Sequence, residues 1–268
     1  MTDKLLQNKS KNIRKDILAM AYKSRGAHIS SSLCIADILT VLYWDVMKIN
    51  PKKPNDSKYD RFILSKGHAA MALYAILAQK GFLPKKMLGE YRKDGSLLGD
   101  HPIFGIPGIE LATGSLGHGL SVAVGMALAS KLDKKNNRIF VLVSDAECQE
   151  GTVWEAVLLA NQLKLDNLTL IIDYNRLQAL GETKDIINLD PLVKKFESFG
   201  WNAYNINGNS VKDLKKYLNK KNHSSPLAII CNTIGGKGVS FMENNFEWHY
   251  KNLDADTYKK AVKDVAKS

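Results

Sequence analysis

From residue 139 onward the chain alternates short, wholly apolar runs with segments of helical periodicity, and this constrains the fold more than any other feature. Residues 139–143 (IFVLV), 168–173 (LTLIID) and 227–232 (LAIICN) are apolar along nearly their whole length rather than on alternate residues. Between them lie helical stretches at 152–165, at PLVKKFESFG and at VKDLKKYLNKK (211–221). A strand apolar on both sides has to be covered on both faces, which βαβ crossovers provide. The pattern predicts an α/β fold: a doubly wound, mostly parallel sheet with helices on both faces. The first half adds helices over 10–24, 33–47, 71–81 and 120–132, with a Gly- and Pro-rich segment at 94–119. The C-terminal stretch KNLDADTYKKAVKDVAKS reads as an amphipathic helix.

Composition excludes several classes. No apolar run approaches the roughly 20 residues of a membrane helix, and the N-terminus lacks a signal-peptide apolar core. Cys34, Cys148 and Cys231 lie far apart, with no CxxC pair. The expectation is a reduced, cytoplasmic protein. A net charge of +11 raises the question of nucleic acid, but the basic residues are scattered and not interleaved with stacking aromatics. Neither nucleic acid nor membrane is expected as a partner. Phosphorylated substrates or an acidic partner chain suit the charge better.

Ligands of open α/β sheets lie beyond the carboxyl ends of strands. The run 139–143 ends at Ser144, Asp145, Ala146 and Glu147, and the next strand ends at Asp173, Tyr174 and Asn175. Asp145 and Asn175 are 30 residues apart, one strand–helix–strand circuit, so both return to one edge. Together they offer hard oxygen donors suited to Mg²⁺ or Ca²⁺, with phosphate oxygens and water completing the shell. The same residues also suit a helix cap at Asp145 and an Asx turn at Asn175.

The stretch SDAECQEGTVWEAVLLANQLKLDNLTLIIDYNRLQ resembles the thiamine-diphosphate signature of the transketolase family, whose common form is GDG followed one βαβ circuit later by N. GAHISSSLCIADIL, DRFILSKGHAAMALYA, DHPIFGIPGIELATGSLGHGLSVAVGMALA and TIGGKGVSFMENNFEWHY agree in order along the chain. The likeness runs from about residue 10 to 255 and covers only the N-terminal, diphosphate-binding half of a full transketolase.

The resemblance implies one thiamine-diphosphate-binding domain over 1–268, as in the N-terminal subunits of split transketolases. Asp145, Asn175 and the Leu177 carbonyl would hold Mg²⁺ (or Ca²⁺ or Mn²⁺), and the ion would hold the cofactor's diphosphate. His68, Gly114, Ser115, Leu116, Ala146, Glu147 and His249 would lie along thiamine diphosphate. His28, His101 and His249 match histidines that meet the sugar or the reacting carbon. Glu150 and Glu155 match acidic residues near a dimer interface that would form part of a proton path between sites, Glu150 being the catalytic candidate of the two. His118 carries no assigned role.

The activity implied is transfer of a two-carbon ketol unit from a ketose phosphate to an aldose acceptor. The family's activating glutamate comes from its pyrimidine-binding domain. A separate C-terminal subunit is therefore expected to carry that domain, in an α2β2 heterotetramer. The alternatives are a 1-deoxyxylulose-5-phosphate synthase-like reaction and a non-catalytic assembly subunit. Three departures stand out: SDA in place of GDG, serines in GAHISSS, and WHY in place of WHG. Ala146 is tolerable at negative φ and costly at positive φ.

Overall fold

The computed structural model describes residues 1–220 and 224–267. Its centre is a five-stranded sheet of β1 (Arg61–Leu64), β2 (Ile139–Ser144), β3 (Leu168–Tyr174), β6 (Asn202–Asn207) and β7 (Leu227–Asn232). The spatial order is β1-β2-β3-β7-β6 and every pairing is parallel. The expected α/β architecture is present. A small antiparallel hairpin, β4 (Leu177–Gln178) with β5 (Gly181–Glu182), stands apart from the sheet.

The helices are α1 (Asp3–Ser24), α2 (Ile29–Leu33), α3 (Ala36–Val41), α4 (Ala70–Lys80), α5 (His118–Leu132), α6 (Gly151–Gln162), α7 (Thr183–Ile186), α8 (Leu192–Ser198), α9 (Val211–Leu218) and α10 (Ala255–Lys267). Alternate strand residues feed two cores on opposite faces. Phe62, Phe140, Leu142, Ile171 and Ile229 pack against α1, α3, α4, α9 and α10. Ile63, Val141, Val143, Leu170 and Ile230 pack against α5, α6 and α8. Burial on both faces is why these strands lack a polar alternation.

Several boundaries differ from the sequence reading. Helix α1 starts at Asp3, not residue 10, because its buried stripe Leu6, Ser10, Ile13, Ile17 includes a serine that breaks the apolar count. The helix expected over 33–47 is three pieces: α2, α3 and a π-helical turn at Leu42–Val46, with a break at Ile35 where ψ is 1°. Strands β1 and β6 are additions to the expected set. The end of the 211–221 helix (Lys221) and the C-terminal Ser268 lie outside the described residues.

The segment Ile29–Val46 is apolar enough to cross a membrane by length and composition, with mean hydropathy 1.4. This corrects the expectation that no run comes close. It is 89% buried within the protein, and its break at Ile35 makes it core packing.

Candidate active site

Register sets the site. Ser144 pairs with Asp173, and Asp173 with Cys231, so the strands end level and the next residues leave a common edge. Beyond that edge is a cavity of about 440 Å³. The structure brings His28, His68, His101, Gly114, Leu116, Asp145, Ala146, Asn175, Leu177 and His249 to its wall. Ser115, Glu147 and Glu150 are not part of that lining.

Asp145 is 1% exposed. Its Oδ1 accepts from Ala146 N at 2.9 Å, while Oδ2 accepts from Arg176 N at 3.0 Å and Thr183 Oγ1 at 2.7 Å. Asn175 Oδ1 accepts from Leu177 N at 2.8 Å. The cap and the Asx turn therefore both exist, and both side chains still line the cavity. No basic side chain forms an ion pair with Asp145 among the described residues. Burial pushes its carboxyl up to about 6, although Thr183 works in the opposite direction.

A cation would supply the charge this carboxylate lacks. One carboxylate, one amide oxygen and one main-chain carbonyl form a hard donor set. Among the described residues no cluster of three or more His, Cys, Asp or Glu offers a nitrogen- or sulfur-rich metal site. The residues present fit a magnesium-like ion that keeps most of its shell for phosphate oxygens and water.

Behind this edge lies a pair that the residue types alone do not reveal. Lys66 Nζ donates to Asp173 Oδ2 at 2.6 Å, with side chains 1% and 0% exposed. Burial pulls the ammonium down, but Asp173 and the neighbouring Cys34 carry it above its usual value. Asn175 Nδ2 and Cys34 Sγ also donate to that carboxylate, at 3.4 and 3.1 Å, and Thr233 Oγ1 donates to its other oxygen. The only signal in the sequence is a lysine soon after an apolar run.

Glu147 faces inward. Fully buried, it accepts from the Ser65 hydroxyl and from Gly117 N (3.0 Å) through Oε1, and from Ser144 N (2.9 Å) through Oε2. It clamps the ends of β1 and β2 to the turn that enters α5. Gly117 at that turn has φ +83°, and a Cβ there would lie 2.8 Å from Glu150 Cβ. Glu150 is exposed, directly before α6, and Glu155 is exposed on that helix. His118 is exposed, its Nδ1 3.0 Å from the Leu116 carbonyl.

Ala146 is absent from the positive-φ residues, so its methyl group brings no backbone strain. Its position in the wall is that of an unstrained residue.

The histidines form a cluster. Ring centroids of His28 and His249 are 5.1 Å apart, His28 and His68 5.2 Å, and His68 and His249 5.9 Å. His28 takes φ +62°, and its N–H donates to the His249 carbonyl at 2.8 Å. His68 Nε2 lies 2.9 Å from Ser31 Oγ, so a serine of GAHISSS orients that ring. Burial lowers all three: His249 to about 4 with help from His28, His68 well below its usual value with help from Lys66, and His28 with help from His101. At neutral pH these are neutral imidazoles, each able to donate at one nitrogen and accept at the other. A Cβ on Gly114 would lie 3.3 Å from His101 Cδ2, so that ring rests against bare backbone.

Residues 6–266 match the family model described as transketolase, thiamine diphosphate binding domain. One subunit of the apulose-4-phosphate transketolase of Phocaeicola vulgatus is 42% identical over 267 residues, covering 97% of this chain and 94% of that protein. The 6-deoxy-6-sulfo-D-fructose transketolase subunit SqwG of Clostridium sp. is 39% identical, covering 98% and 96%. Among solved structures, transketolase from Campylobacter jejuni superposes with a TM-score of 0.93 at 32% identity. The match takes in 99% of this chain but 43% of the Campylobacter chain.

Proposed function

This chain belongs to the transketolase family, and from that membership we propose that it is the N-terminal subunit of a split transketolase. In this reading it moves a two-carbon ketol unit from a ketose phosphate to an aldose. The observation that carries the reading is the uncompensated Asp145 carboxylate beside Asn175 and Leu177, facing a cluster of neutral histidines across one cavity.

Asp145, Asn175 and the Leu177 carbonyl would hold a divalent ion, which would supply the positive charge that the diphosphate of thiamine diphosphate needs beside this edge. Thiamine diphosphate, when bound, supplies the electron sink for breaking the bond beside the ketose carbonyl. Ala146, Gly114, Leu116 and His68 line its path, with Ser115 on the adjoining turn. Glu147 acts one layer back, setting the turn before α5 relative to the strand ends. His28, His101 and His249 orient the sugar's hydroxyls, and the neutral imidazoles of His28 and His249 take up or return their protons. The buried Lys66–Asp173 pair keeps Asn175 oriented through its Nδ2. Glu150 lies outside the cavity wall, and a role in proton transfer runs through the surface beside Gly117.

Relatives named as single subunits of transketolases, matched over most of their length, support a second chain carrying the remainder of the enzyme. We place that partner in an α2β2 assembly in the cytoplasm. The test is ketol transfer by the complex copurified with this chain. Transfer from a ketose phosphate to an aldose by the complex, with none by this chain alone, supports the reading. An active chain without a partner, or a complex that releases a 1-deoxy sugar from pyruvate, overturns it.

A further inference from the structure

The turn Phe246–His249 and the following Tyr250 form one side of the cavity. Trp248 is buried and packs against Phe241, with centroids 5.2 Å apart, which anchors the turn from beneath. Phe246 and Tyr250 both line the cavity yet are 51% and 61% exposed. The Tyr250 ring stands edge-on to His249 at 4.8 Å and to His28 at 5.5 Å. Its hydroxyl has no hydrogen-bond partner among the described residues. The main-chain bond from His28 to the His249 carbonyl ties this wall to α2.

Positive charge is nearly absent here. Among the described residues Lys66 is the only lysine or arginine in the cavity lining, and Asp173 occupies its ammonium. A wall of two exposed aromatic rings with one free hydroxyl does not suit a phosphate. It suits the uncharged body of a sugar, whose C–H face lies on an aromatic surface while a hydroxyl meets the phenol.

We infer that Tyr250, continued by Phe246, is the specificity-determining surface for the uncharged carbon chain of the ketose donor, while the donor's phosphate is read elsewhere. This rests on the proposed ketol transfer. Tyr250 acts by shaping the space next to His28 and His249. A donor long enough to lie along the wall depends on it, whereas a donor whose only other part is a carboxylate released as CO2 does not.

The experiment uses the copurified complex with Tyr250→Ala and Tyr250→Phe, a five-carbon ketose phosphate as the long donor and hydroxypyruvate as the short one. Tyr250→Ala is expected to raise the ketose KM about tenfold while leaving the hydroxypyruvate KM and both kcat values within about twofold. Tyr250→Phe, which keeps the ring, raises the ketose KM only about threefold. Saturation-transfer NMR without added cofactor is expected to show weaker transfer from aromatic protons to the sugar C–H protons in Tyr250→Ala. Equal effects on the two donors, or no effect on either, overturn the inference. A wild-type complex that uses neither donor overturns the function reading instead.

Discussion

Lys66 Nζ and Asp173 Oδ2 meet at 2.6 Å with both side chains withdrawn from solvent, Lys66 in the cavity wall and Asp173 behind it. Lys66 leaves the end of β1 and Asp173 belongs to β3, so the pair spans the intervening strand β2. The Asp173 carboxylate is also where Cys34, Asn175 and Thr233 converge.

Breaking this pair from either side strands a buried charge. Lys66→Met and Asp173→Asn are each expected to lose about 3–5 kcal/mol of unfolding free energy in urea titrations. Replacing both residues together is expected to cost less than the two single losses added. Single variants within about 1 kcal/mol of wild type would contradict the assignment of the pair as a desolvated, mutually dependent unit.

The half-buried histidines His28, His68 and His249 make a pH dependence of defined sign. Their folded pKa values lie below the ordinary 6.5. The unfolded chain therefore binds more protons through that window. The stability they contribute is complete above about 6.5 and declines as pH falls toward the folded values, about 4 for His249. Asp145, pushed up to about 6, works the other way between its ordinary 3.8 and 6. The histidine part is isolated by comparing wild type with His68→Gln. Thermal midpoints of wild type should fall more steeply than those of the variant between pH 7 and 5. Parallel curves would contradict a neutral His68.

The parallel sheet and its ligand edge are legible in the sequence because β2, β3 and β7 are uninterrupted apolar runs, a pattern that only two-sided burial explains. The separation of Asp145 and Asn175 points to the edge at which they meet. Strand β1 is not legible, because three apolar residues in DRFILS carry too little periodicity. Lys66 and Glu147 show the deeper limit. Residue type suggests exposure for both, and only the fold reveals that Asp173 neutralises one and that hydrogen bonds from Ser65, Gly117 and Ser144 hold the other inside. The histidine cluster likewise has no local signature. His28, His68 and His249 come from separate segments, and the resemblance to transketolases, rather than spacing, singles them out. The structure also resolves the SDA departure, since Ala146 needs no left-handed backbone.

In the proposed function Asp145 holds a metal and the metal holds the diphosphate. It is tested most directly by calorimetry of thiamine diphosphate binding to the copurified complex, with Mg²⁺ and with a chelator, in wild type and Asp145→Ala. Binding is expected to require the metal and to weaken at least about 100-fold in the variant. Binding of equal strength in chelator, or an Asp145→Ala complex as tight as wild type, would contradict it.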